Sequence, residues 1–309
     1  MSAAWVSGSV RARLLVAERR LGAEGARELG GSATVRDALV ALGRTPYRRE
    51  ISLGLGLEEA QRALAVKTLL DLRLLAGWLP QEALSLLRAL AGWYELANVE
   101  DRVAYLEGAP LRQPFELGGL ASAWPRAAGA QSLEELRQAL APTAWGDPGG
   151  ETPAQLGLGL RLAWAHRVAD AAPGAGAWAA GATALLVAST LFVAGLPVEA
   201  LPVPPVRLLG PAWQAAGTFP RFREALPADA AWALEGVESP EQLWRAEARW
   251  WARVEEEGAR LLRGSRPGPE VVVGATALLA ADAHRASSAL AAAARRGLPA
   301  VEEAFDAAA

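Results

Sequence analysis

An all-α fold follows from three features of the sequence. Ala, Leu, Arg and Glu, the strongest helix formers, dominate it. Runs of β-branched residues are short, so strands have little to start from. Several apolar-periodic segments also open with Ser or Thr followed three residues later by an acid or amide, a helix-start signal. At 309 residues and 52% hydrophobic content, the chain has ample material for a buried core.

The helices are organised as repeats. The segment Thr34-Val-Arg-Asp37-Ala-Leu-Val-Ala-Leu42-Gly-Arg-Thr45-Pro-Tyr47 aligns without a gap on Ser132-Leu-Glu-Glu135-Leu-Arg-Gln-Ala-Leu140-Ala-Pro-Thr143-Ala-Trp145. Hydroxyl falls on hydroxyl, acid on acid, Leu on Leu, Thr on Thr and aromatic on aromatic. Both openings are capping boxes, in which the two side chains satisfy orphan N–H groups at a helix start. Ser239-Pro-Glu-Gln242 supplies a third, with Pro240 at a first helical position where its missing N–H costs nothing. A second landmark, Leu53-Gly-Leu-Gly-Leu57 and Leu156-Gly-Leu-Gly-Leu160, precedes a long helical run each time. Three related helical units follow, with boundaries at residues 1–110, 111–205 and 206–309. The Pro-rich stretch from Leu196 to Pro205 reads as a hinge, and Arg263-Gly-Ser-Arg-Pro-Gly-Pro269 as a break before the last helix.

Composition narrows the function classes. There is no cysteine, which removes disulfides and thiolate zinc sites and fits a reducing cytoplasm. A net charge of -3 argues against nucleic acid as a partner, because binding to phosphate backbones rests on an excess of Lys and Arg. Lys67 is the only lysine, and the wealth of Arg, Ala and Gly reads as the codon usage of a GC-rich genome. The N-terminal stretch has charges every few residues and no apolar h-region, so it does not read as a secretory signal. Residues 177–196 carry no charge and have the length of a membrane span. Much of that stretch is Ala, Gly, Ser and Thr, and its strongly apolar part, Leu185 to Leu196, suits a buried core helix better.

The residues that could carry chemistry are sparse. His166 and Asp170 stand at helical spacing for a metal, yet no third ligand is near. Asp282 and His284 are two apart and face different sides of a helix. The glycines of the two Leu-Gly-Leu-Gly-Leu segments lack the pattern and preceding strand of a phosphate loop. Glu255-Glu-Glu257, with Arg253 and Arg260 at helical spacing, reads as a solvated face with weak ion pairs, and Trp244 with Trp251 as core packing. No catalytic residue, cofactor or metal site is expected.

The helix expected over Pro80 to Gly108 is the most informative. Leu84, Leu87, Ala91, Tyr94, Asn98, Arg102 and Tyr105 fall within an arc of about 80° on it, so polar Asn98 and Arg102 stand in an apolar stripe. Asn98 should then be buried and hydrogen-bonded to a neighbouring helix or loop. These residues also carry a resemblance. Asp71-Leu-Arg73, followed by Trp93-Tyr94-Glu-Leu-Ala-Asn98-Val-Glu-Asp-Arg102, resembles the repeat-closing helix of the family formed by the d subunit of V-type ATPases and its counterpart in archaeal-type (A-type) enzymes. The Thr34 to Tyr47 unit resembles that family's short helix with its Thr-x-aromatic turn, and Pro269 to Arg285, with Asp282 and His284, its final helix. Thr183 to Ala194 departs from the pattern, having no acid, Asn or basic residue, and Asp282 and His284 stand where the family usually has an acid and an amide.

The resemblance implies a funnel-like bundle of three repeats that couples the central rotor stalk to the membrane proteolipid ring without chemistry of its own. Its partners would be the central-stalk subunits and the ring, and it would sit on the cytoplasmic face of the membrane as a peripheral protein. Tyr94, Asn98, Arg102, Asp282 and His284 are then the candidates for structural or partner contacts. The alternatives are an orphan helical scaffold derived from that family, a helical protein anchored in the membrane through residues 177–196, or a helical enzyme or small-molecule binder using the Trp-rich third repeat.

Overall fold

A computed structural model describes residues 2–202 and 205–297, and among them there is no strand. Val203 and Pro204 of the hinge, and the end of the third unit from Leu298, lie outside the described residues. The chain starts with α1 (Ala3–Glu18), α2 (Gly22–Gly30) and α3 (Val35–Leu42), then enters a long pair, α4 (Leu57–Ala76) followed by α5 (Leu84–Leu90) and α6 (Gly92–Leu106). Two short helices, α7 (Trp124–Ala127) and α8 (Leu133–Leu140), lead to a second pair, α9 (Pro153–Ala171) and α10 (Gly176–Ala188). After α11 (Val206–Leu209), α12 (Phe219–Glu224) and α13 (Ala228–Ala231) comes the third pair, α14 (Leu243–Arg263) and α15 (Pro269–Gly297).

The buried residues divide the same way. Leu29, Leu39, Leu42 and Tyr47 from the first short helices pack on Leu64 of α4 and Leu290 of α15. Leu136, Leu140 and Trp145 from the second set pack on Leu96 and Val99 of α6 and Leu160 of α9. Phe219, Phe222 and Leu226 from the third pack with Ala180, Ala184 and Val187 of α10. A shared core forms where α1, α4, α5, α14 and α15 meet. Each short set thus rests on the last helix of another pair, and α15 serves the first set, so the end of the described chain covers its beginning.

Several sequence-based expectations need correction. The third short helix, α12, starts after Thr218 rather than Ser239; Thr218 has the extended backbone (φ -139°, ψ 152°) of Thr34 (φ -135°, ψ 163°) and Ser132 (φ -150°, ψ 165°), although its side chain, unlike theirs, makes no cap hydrogen bond. Positions four and eight after each cap are buried in all three: Ala38 and Leu42, Leu136 and Leu140, Phe222 and Leu226. Ser239 instead precedes a single 3-10 turn that leads straight into the 21-residue α14. The two Leu-Gly-Leu-Gly-Leu segments are not equivalent either, since the first is the loop entering α4 and the second lies inside α9. There Gly159 admits the carbonyl of Pro148, which would sit 1.9 Å from a β-carbon.

The helix expected over Pro80 to Gly108 is broken. A 3-10 turn, Gln81–Ala83, opens it, and it steps at Ala91 between α5 and α6. The step occurs where α9 crosses. The Trp164 indole donates to Ala89 O at 2.9 Å, and its ring stands 2.9 Å from where Gly92 would carry a β-carbon. The uncharged stretch forms α10 and one π-helical turn, Ser189–Val193. Gly176–Val193 is long and apolar enough to cross a membrane, but 44% of it is buried against protein. Trp244, expected in the core, is 65% exposed in the first turn of α14, whereas Trp251, two turns on along the same face, stacks on His284 of α15.

Pairing of α14 with α15 depends on glycine. A β-carbon on Gly274 would come 2.5 Å from Gly258 O and 2.6 Å from Leu262 N, both rigid backbone atoms. Gly274→Ala must therefore push the two helices apart, and the urea midpoint should fall by the equivalent of about 1–3 kcal/mol. An unchanged midpoint would show that the crossing relaxes freely.

Candidate functional site

Two clasps of the same construction tie short helices to long ones. Thr45 Oγ1 donates to Leu42 O at 2.7 Å and accepts from Tyr47 N at 3.2 Å. Thr143 Oγ1 donates to Leu140 O at 2.6 Å and accepts from Trp145 N at 3.2 Å. The hydroxyl satisfies a helix-terminal carbonyl and fixes the turn, so the next aromatic ring is carried into the core. Tyr47 then donates its hydroxyl to Asp282 Oδ2 of α15 at 2.8 Å, and Trp145 Nε1 donates to Glu95 Oε2 of α6 at 2.7 Å.

Each carboxylate also holds the start of a short helix. Asp282 accepts from the backbone N–H groups of Leu21 and Gly22, both at 2.8 Å, at the head of α2. Glu95 Oε1 accepts from Ser122 and Ala123 at 2.7 Å and from Trp124 at 2.8 Å, at the head of α7, and the Ser122 hydroxyl donates to its other oxygen. A carboxylate is favoured where unpaired N–H groups and the helix dipole converge. Burial alone would push the Glu95 carboxyl up, but hydrogen bonds from Ser122, Trp124, Ala123 and Trp145 outweigh it and hold the group below its ordinary range. Tyr47 is pushed up, first by burial and then by Asp282.

α6 carries two further ties on the same stripe. Asn98, fully buried, donates to Phe115 O at 2.9 Å and accepts from Phe115 N at 2.6 Å, standing in for a backbone partner that the irregular segment before α7 lacks. Arg102 donates through Nε and a terminal nitrogen to Ala130 O at 2.8 and 2.6 Å, just before the cap of α8. Tyr94 is buried one turn earlier, edge-on to Phe115 with ring centres 5.4 Å apart. Tyr105, at the end of the stripe, is 39% exposed.

Beside the first clasp lies a buried ion cluster. Lys67 Nζ stands 2.9 Å from Asp71 Oδ2, too far off axis for a hydrogen bond, and donates to Arg19 O. Arg19 bonds the other Asp71 oxygen at 3.0 Å, and Lys67 lies 4.6 Å from the centre of the Tyr47 ring. Glu257 makes the ion pairs expected with Arg253 and Arg260, but the face is less solvated than expected because partners on other helices also reach it. Glu255 takes Arg20 at 2.8 Å and also Arg285, while Glu257 accepts from Arg253 at 2.8 Å and from the Trp178 indole at 2.5 Å. His284 stacks on Trp251 at 4.3 Å, away from Asp282, and burial, with Arg285 nearby, holds its pKa down against the pull of Glu247.

The structure therefore places Tyr94, Asn98 and Arg102 on one stripe of α6, and puts Asp282 and His284 on different neighbours of α15. Asp170 pairs with Arg207 at 2.8 Å rather than with His166. Among the described residues no group of three His, Asp or Glu side chains has metal-ligand geometry. What sequence reasoning passed over is Glu95 as the hub of the second clasp, and Lys67 as a buried charge. The first lay in plain view beside Tyr94 and Asn98. The second had no signal beyond Asp71 one helical turn away. No protein-family model and no curated protein matches the chain.

Two outcomes are expected. Asn98→Ala should cost about 1–3 kcal/mol in denaturant unfolding, because Phe115 loses both its partners in a dry site. An unchanged midpoint would mean that water reaches Phe115. Glu95 binds its proton less readily folded than unfolded, so its contribution is present above the unfolded pKa and lost as pH falls through the lower folded value. Wild-type stability should then drop on acidification below about pH 4.3, the ordinary Glu value, and Glu95→Gln should flatten that slope while lowering stability at pH 7. A parallel slope in the variant would assign the acid sensitivity elsewhere.

Proposed function

We propose that the chain is a non-catalytic subunit of a V- or A-type rotary ATPase, similar to the V-type d subunit and its archaeal-type counterpart, which couples the central stalk to the proteolipid ring. The observation that carries this reading is the repeated clasp, Thr45-Tyr47 on Asp282 and Thr143-Trp145 on Glu95. It falls on the segments whose sequence resembles that family, and it ties the first unit to the third and the second to the first. Three units each resting on the last helix of another form a frame without a loose end, which suits a part that passes torque by shape and contact. Every carboxylate in the clasps is taken up by N–H and O–H donors, which fits a structural duty. On this reading the protein is peripheral on the cytoplasmic face of the membrane, and its contact faces are loops and helix ends at the unit junctions.

The test is co-purification of the tagged chain from its source organism in mild detergent, followed by deletion. The stalk subunits and the ring should copurify, a high-salt or alkaline wash should release the chain from membranes, and deletion should abolish ATP-driven ion pumping. A chain that purifies alone and whose loss leaves pumping intact is an orphan helical scaffold. One that resists the wash is anchored through residues 177–196.

A further inference from the structure

The third unit holds a feature the clasps do not use. Two grooves, with cavity volumes of about 380 and 320 Å³, adjoin at Trp232 and Glu235, which line both. Arg223 and Glu224 line the first, and Arg249 and Arg253 the second. Both are grooves open to solvent along much of their surface rather than enclosed cavities.

The indole between them is fixed. Trp232 Nε1 donates to Asp229 O at 2.8 Å and to Ala177 O at 3.3 Å, and the Arg253 guanidinium stacks 4.0 Å from the ring centre. Arg253 is itself committed through Nε to Glu257. Arg223 and Arg249 are not: among the described residues neither has a carboxylate within ion-pair distance. Arg223 Nε is sealed from solvent and unpaired, so a ligand in the groove meets Arg223 through its terminal nitrogens rather than through this atom. Gly236, at φ +67°, leaves room for Arg249, whose terminal nitrogen lies 3.4 Å from where a β-carbon would stand.

We propose that the paired grooves at Trp232 bind a small monocarboxylate with an aromatic or branched aliphatic body. Arg249 and Arg223 take the carboxylate and the Trp232 ring takes the body. A guanidinium matches a carboxylate in charge and in its planar fork of donors. The two glutamates set the charge limit. With Arg253 taken up by Glu257, Arg223 and Arg249 are balanced by Glu224 and Glu235, and a lining near neutrality accepts a single negative charge but penalises a phosphate dianion or a polyanion. The proposal is independent of any role in an ATPase and is tested on the purified chain.

The probe is phenylacetate, followed by 1H–15N spectra of the tryptophan indoles, with the Trp232 signal identified by its loss in Trp232→Phe. Phenylacetate should shift that signal saturably, and Arg249→Gln and Arg223→Gln should each weaken binding about ten-fold or more, as expected for loss of a charge-assisted hydrogen bond. Benzyl alcohol, which lacks the charge, and phenyl phosphate, which carries two, should bind more weakly. Both arginines sit at the groove rather than in the core, so the variants should keep the wild-type spectrum elsewhere. The proposal is overturned by the absence of a saturable shift through the millimolar range, by wild-type affinity in either arginine variant, or by benzyl alcohol or phenyl phosphate binding as well as phenylacetate.

Discussion

Asp282 holds the end of the described chain onto its beginning. Its side chain is 1% exposed, and it accepts from the Tyr47 hydroxyl and from the N–H groups of Leu21 and Gly22, with Arg20 Nε 3.8 Å away. A carboxylate taken out of water is tolerable only when its lone pairs are all answered, and here the answers come from residues more than two hundred positions earlier. The constraint is therefore topological as well as local. In the folded chain the head of α2 and the Tyr47 turn are satisfied by Asp282, and Asp282 by them. Packing of Leu39, Leu42 and Leu64 on Ala286 and Leu290 depends on that register.

Glu95 repeats the arrangement inside the chain and shows why the second unit can carry so much irregular backbone. From Gly108 to Ala123 the chain forms only one 3-10 turn, Gly118–Leu120, so its polar groups lack a ladder of their own. Glu95, Asn98 and Arg102, three and four residues apart on α6, take up the groups at Ser122 to Trp124, at Phe115 and at Ala130. One helix face supplies, through side chains, the hydrogen bonds that a strand would have supplied through backbone. This explains polar residues on an apolar stripe without assigning them to a partner.

The fold class and the first two short helices were legible because their signals are local. A hydroxyl cap, an acid three residues on and an apolar period leave a direct trace in sequence. Burial of Asn98 was legible for the same reason, since helical phase alone puts it inward. The third short helix was not, because Arg221 stands where the capping acid would be and Pro220 interrupts the pattern, so the complete box at Ser239 drew the eye instead. The step at Ala91 was hidden too, since its cause is Trp164 on another helix. Carboxylate partners could not be read at all. Asp282 and Glu95 sit at different distances from the aromatics they bind, and only tertiary structure pairs them.

In the third unit the pattern of clasps fails. In the first two units the aromatic after the short helix is sealed, Tyr47 at 0% and Trp145 at 5% exposure, because a carboxylate on the facing helix draws it in. α10 offers no such acid: from Gly176 to Ala188 it is apolar or neutral throughout. Trp232, which follows the third short set, instead lies over Gly181, whose missing β-carbon makes room at 2.7 Å, and gives its N–H to backbone carbonyls. The ring stays half-buried. With no acid to receive it, its outer surface is left to line the grooves with Arg249 and Arg253. The absence that removes a structural tie from this unit also leaves an indole open beside guanidinium groups, so the missing clasp and the open groove have one physical cause.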